Sequence, residues 1–158
     1  MNTESHIIIG TAGHVDHGKT TLVHALTGFF LDSAPEEKLR GITIHLGFTH
    51  KKYTNKTLSF IDVPGHENLI QTMIAGASGI DAVILCVSAV DSVMPQTIEH
   101  LQILQFLGVQ SGAIAITQAD QADEEMIDFV KEDVATITRG TFLEDSPIFV
   151  FQNLHLLY

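Results

Sequence analysis

Residues Gly13 to Thr20 spell GHVDHGKT and fit the spacing GxxxxGK[ST], a glycine loop able to wrap a chain of phosphates. Gly13 and Gly18 let the backbone turn tightly, so that the N–H groups of His14, Val15, Asp16 and His17 can point at phosphate oxygens. Lys19 can reach the β- and γ-phosphates, and the Thr20 hydroxyl is a ligand for Mg²⁺. Thr21 follows at a helix start, whose positive dipole end adds to the same pull on anions. The apolar run His6-Ile7-Ile8-Ile9 leads in and Thr20 to Leu26 leads out, so the loop sits between a strand and a helix, as such a motif requires.

A phosphate loop alone specifies a nucleoside triphosphate and no base. Further segments narrow the choice. Asp62-Val63-Pro64-Gly65 ends the apolar strand Leu58-Ser59-Phe60-Ile61, where the Asp62 carboxylate can hold Mg²⁺ and the Gly65 N–H can approach a γ-phosphate. Thr43, within Arg40-Gly41-Ile42-Thr43-Ile44, is placed to close over Mg²⁺ when the γ-phosphate is present. Thr117-Gln118-Ala119-Asp120 follows the apolar strand Ala113 to Ile116; an aspartate there can accept two hydrogen bonds from guanine, which adenine does not offer.

The elements that must position these groups alternate. Strands are expected near 6–11, 42–50, 57–62, 81–88, 112–117 and 147–151, and helices near 19–27, 67–77, 95–107 and 122–139. Pro95 suits a first helical turn, and Gly28 and Gly108 suit helix ends. Ile98, Leu101, Ile103, Leu104 and Leu107 have helical spacing and are expected in the core. The first, fourth, fifth and sixth strands are nearly continuous apolar runs, as parallel strands buried on both faces require. Only 42–50 and 57–62 are joined closely enough for an antiparallel hairpin. The expected fold class is α/β, a mostly parallel doubly wound sheet with helices on both faces and the nucleotide at the strands' carboxyl ends.

Composition bounds the partners. The 158 residues suit one domain, and no segment has the length of charge-free apolar chain that spans a membrane. The N-terminus lacks the pattern of a secretory signal, and the single cysteine, Cys86, lies in an apolar strand, which suits a reducing cytoplasm. The nine histidines show no metal-ligand spacing; His14 and His17 are expected to shape the phosphate loop. A formal charge of −11 argues against DNA and predicts weak RNA affinity. The lysines 51, 52 and 56 flank an expected turn at Tyr53-Thr54-Asn55 and are read as a solvated hairpin tip.

The motifs GHVDHGKTT (13–21), RGITI (40–44) and DVPGHE (62–67) resemble those of the translational GTPases, whose fold is the P-loop G domain. The segments EEKLRGITIHLGF (36–48), DVPGHENLIQTMIAGASGID (62–81), VMPQTIEHLQILQFLGV (93–109) and RGTFLEDSPIF (139–149) are similar to the selenocysteine-specific branch of that family. The resemblance implies GTP and GDP as ligands, with Mg²⁺ held by Thr20, Thr43 and Asp62. It implies hydrolysis with His66 positioning the attacking water, and, for a full factor, the ribosome and selenocysteinyl-tRNA as partners. A nucleotide-binding module without turnover is the alternative, and an ATP-using P-loop protein is the next.

Two departures bear on that reading. The family's guanine motif carries lysine where this chain has Gln118, so a charged brace on the phosphate loop is lost, an expected cost of about one to two kcal/mol if glutamine cannot substitute. After the sixth strand the family has a Ser-Ala loop and a final helix; neither is legible here, so the GTP-binding domain is expected over 1–151, incomplete at its C-terminal end, with 152–158 a short tail. Apolar sheet surface should then lie bare or be patched by the short tail.

Overall fold

A computed structural model describes residues 5–29, 46–64, 74 and 79–153. Strand β1 (Ser5–Ala12) opens it, followed by helix α1 (Lys19–Thr27), β2 (Gly47–Tyr53), β3 (Lys56–Asp62) and β4 (Ala82–Ser88). Then come α2 (Pro95–Phe106), β5 (Gly112–Thr117), a short 3₁₀ turn (Ala119–Gln121), α3 (Glu124–Thr138) and β6 (Ile148–Val150). The sheet order is β2-β3-β1-β4-β5-β6. Only β2 runs antiparallel, pairing with β3 across a turn at Thr54 and Asn55. The other neighbours are parallel, so Ala12, Asp62, Ser88 and Thr117 end their strands along one edge of the sheet.

Alternation along the central strands divides the interior into two layers. Val83, Leu85 and Val87 of β4, with Ile114 and Ile116 of β5, face the larger core together with Leu101 and Leu104 of α2 and Val130 and Val134 of α3. Cys86 and Ala115 point to the opposite face and pack with Leu22 of α1. Both faces of β4 and β5 are thereby covered, which is why their apolar runs are unbroken.

The doubly wound α/β arrangement agrees with the sequence reading, with local differences. The second strand extends to Tyr53, beyond position 50, because the hairpin closes with a two-residue turn; residues 42–45 of its expected range lie outside the described residues, as does nearly all of the helix expected over 67–77. Ile98 is exposed, contrary to expectation. The inward stripe of α2 is Thr97, His100, Leu101 and Leu104, spaced i, i+3, i+4, i+7, and two of its members are polar. Helix α3 begins two residues later than expected, after the Asp123 carboxylate accepts from the Met126 N–H at 2.8 Å and fixes the N-terminus. Strand β6 was expected to be buried on both faces, but it is three residues long, and Ile148, Phe149 and Val150 are all exposed. It is the sheet edge beyond β5, so it has one strand neighbour and an apolar sequence with little to bury against.

Candidate functional site

The phosphate loop leaves β1 at Ala12 and enters α1 at Lys19. Gly13 has φ 129°, and a Cβ there would lie 2.2 Å from the Cys86 carbonyl oxygen of β4, so the strand end and the loop can meet only at a glycine. The Gly13 N–H donates to His100 Nδ1 of α2 at 3.1 Å, an anchor on the loop's first residue. Asp16 takes a left-handed conformation at the exposed tip, and His17 folds back into complete burial. The His17 carbonyl accepts from Thr117 Oγ1 at 2.9 Å, joining the loop to the end of β5.

The Lys19 side chain is buried and lies back across the loop, its Nζ donating to the His14 carbonyl at 2.6 Å. Burial holds its ammonium below the usual lysine range, while Asp62, Cys86 and Asp16 work in the other direction. Asp62 is fully buried at the end of β3 and accepts from Thr11 Oγ1 at 2.9 Å and from Thr20 Oγ1 at 2.5 Å. Thr11 Oγ1 also accepts from the Val63 N–H at 3.0 Å, which fixes the exit of β3. A hydroxyl and a buried carboxylate side by side form a hard-oxygen pair suited to Mg²⁺.

Three imidazoles surround this loop. His14 and His17 meet edge to face with centroids 5.1 Å apart. Burial, followed by electrostatic repulsion from the neighbouring His14 and Lys19, lowers the His17 pKa to about 4, against a weaker opposing pull from Asp91. The His100 pKa also falls to about 4, again chiefly through burial and then through Lys19 and His14. Both rings are therefore neutral near pH 7, which lets His100 accept from Gly13. Cys86 is buried beneath the loop with its thiol pushed up to about 12, inert as a nucleophile.

At the other end of the site, Thr117 is the last residue of β5, and Gln118 and Asp120 follow it. The charged contact expected to be lost at Gln118 has a neutral counterpart: Gln118 Nε2 donates to the Asp16 carbonyl at 3.0 Å, so an amide supports the phosphate loop. Residues 151 and 153, just past β6, are tied to the end of β5 and the turn after it. The Phe151 N–H donates to the Ile116 carbonyl at 2.8 Å, the Ala119 N–H to the Phe151 carbonyl at 3.2 Å, and the Asn153 N–H to Asp120 Oδ1 at 2.9 Å. The chain after β6 thus brings a backbone donor into contact with the carboxylate expected to read the base. Ser88, His100, Thr11 and Asn153 were not singled out in the sequence. Of the remaining expected site residues, Thr43, Gly65 and His66 lie outside the described residues.

A parallel sheet with a glycine loop at its first strand, a buried lysine and threonine at the following helix, and aspartates ending β3 and following β5 together define a P-loop nucleotide-binding domain of the G type. The chain belongs to the elongation factor Tu GTP-binding domain family, whose model matches residues 4–152. It is 49% identical over 143 residues to the selenocysteine-specific elongation factor of Desulfomicrobium baculatum, covering 90% of this chain and 23% of that relative. The crystal structure of a bacterial selenocysteine-specific elongation factor superposes with a TM-score of 0.88 at 38% identity, over 97% of this chain and 27% of that one. Elongation factor SelB from Methanococcus maripaludis, solved in complex with the GTP analogue GppNHp, gives 0.79 at 32% identity, over 94% and 30% of the two chains. The chain therefore spans about a quarter of the length of these relatives.

Proposed function

We propose that this domain binds GTP with Mg²⁺ and hydrolyses it to GDP and phosphate, as the G domain of a factor that delivers selenocysteinyl-tRNA to the ribosome. The observation that carries the reading is the convergence of buried Lys19, Thr20 and buried Asp62 at one mouth of the sheet, with Asp120 beyond β5. Backbone N–H groups of the 13–18 loop and the start of α1 would cradle the phosphates. Lys19 would exchange its bond to the His14 carbonyl for the β- and γ-phosphates, and Asp120 would accept from guanine. Thr20 and Asp62 would hold Mg²⁺, with Thr43 and Gly65 responding to the γ-phosphate. Mg²⁺ would neutralise charge developing between the β- and γ-phosphates. Hydrolysis through a loose transition state needs mostly positioning, and His66 would orient the attacking water. Binding of tRNA and ribosome belongs, in this reading, to the longer factor; the acidic domain alone would hold RNA weakly.

Calorimetric titration of GDP and GTP with and without Mg²⁺, followed by single-turnover hydrolysis, tests the reading. Mg²⁺-strengthened binding and a slow hydrolysis that H66A slows further are expected. Absence of binding to either nucleotide would refute it.

A further inference from the structure

Gln118 stands where the family pattern has lysine, in the left-handed region at φ 56° and ψ 27°, a conformation that costs a non-glycine residue stability and so has to be held by its surroundings. Its side chain is held at both ends. Nε2 donates to the Asp16 carbonyl at 3.0 Å, and Oε1 accepts from Ser88 Oγ at 2.6 Å. The same Ser88 Oγ accepts from the Val90 N–H at 3.1 Å and the Asp91 N–H at 3.2 Å. A hydroxyl has one proton and two lone pairs. With both lone pairs engaged, the Ser88 proton must point at Gln118 Oε1. The Asp16 carbonyl can only accept, so the amide NH₂ must face the loop. The direction of every bond is thus fixed, from the loop after β4, through Ser88 and Gln118, to the phosphate loop.

We infer that Gln118 is a positioning residue: its amide, oriented by Ser88, holds the phosphate loop at Asp16 in the shape that receives the nucleotide, and Ser88 and Gln118 act as a matched pair. The inference deepens the guanine-nucleotide reading above and rests on it. A lysine could donate to Asp16 but could not accept the Ser88 proton, and Ser88 has no lone pair left for an ammonium. Glutamine is therefore the residue this serine fits, and lysine at 118 should not improve the site.

The test uses Q118E and Q118M, which nearly keep the side chain's size, together with S88A, Q118K and the double variant S88A/Q118M. Stopped-flow release of fluorescent GDP should be about five-fold faster or more in Q118E, Q118M and S88A, the scale of one lost hydrogen bond. The double variant should be no faster than the faster single, because both remove the same clamp. Q118M at the wild-type rate would mean that Gln118 only fills space, and Q118K slower than wild type would mean that the pair is not matched; either result overturns the inference. Hydrogen exchange of amides 14–18 in the nucleotide-free protein separates this from the functional reading. Faster exchange in Q118E and Q118M supports the clamp even if no guanine nucleotide binds. Unchanged exchange refutes it even if one does.

Discussion

Lowering the pH from about 7 to about 5 should destabilise this domain by about 4 kcal/mol through the two histidines beside its phosphate loop. His17 and His100 are both fully buried with pKa values near 4, against an ordinary value of 6.5. The unfolded chain, whose histidines titrate normally, takes up protons first as the pH falls through 6.5, so stability is present above that value and drains away down to about pH 4. At about pH 5 an unfolded imidazole is almost fully charged while the folded one is mostly neutral, and the difference amounts to about 2 kcal/mol for each ring at 1.36 kcal/mol per unit. Total stabilities of about 5–15 kcal/mol make this loss easy to measure. Urea unfolding followed by circular dichroism at both pH values supplies the number. H100Q keeps an acceptor for the Gly13 N–H but cannot titrate, so it should remove about half of the pH dependence, and adding H17Q should remove most of the rest. Equal pH dependence in wild type and the double variant would refute the assignment of buried neutral imidazoles.

Other outcomes are expected. K19A should abolish measurable GTP binding by fluorescence titration while the protein keeps a folded circular dichroism spectrum, because it removes the side chain that would reach the phosphates, and the buried Asp62 carboxylate it leaves behind still accepts from Thr11 and Thr20. Cys86 should resist a thiol-reactive disulfide reagent in the folded protein at about pH 8 and react fully in urea, since its thiol is buried and its pKa is about 12. D62A should weaken the Mg²⁺ dependence of nucleotide binding by a factor of about ten or more, as it removes the carboxylate beside Thr20.

The local parts of this site were legible in the sequence. The phosphate loop, Asp62 and Asp120 each follow an apolar strand, and a sheet whose strands run parallel must bring such ends to one edge. What escaped were pairings between segments distant in the chain. His100 meets Gly13 only because α2 packs beside β1, and a histidine on an apolar helix carries no mark of that partner. Ser88 meets Gln118 because β4 and β5 are neighbours in register, a fact of topology and not of either motif. Asn153 reaches Asp120 through its backbone, so no side-chain pattern could have announced it. The exposure of β6 and of Ile98 had the same origin: apolar periodicity reports a wish for burial, and edge position or a competing polar stripe decides whether it is met.

The most direct test of the central claim is displacement of a fluorescent GDP from the purified protein, in the presence of Mg²⁺, by unlabelled GTP and by unlabelled ATP. The account predicts displacement by GTP at concentrations where ATP has no effect, because in the proposed reading Lys19 and the loop would recognise the phosphates and Asp120 would recognise guanine. Equal displacement by ATP, or no binding of the fluorescent nucleotide at all, would contradict it.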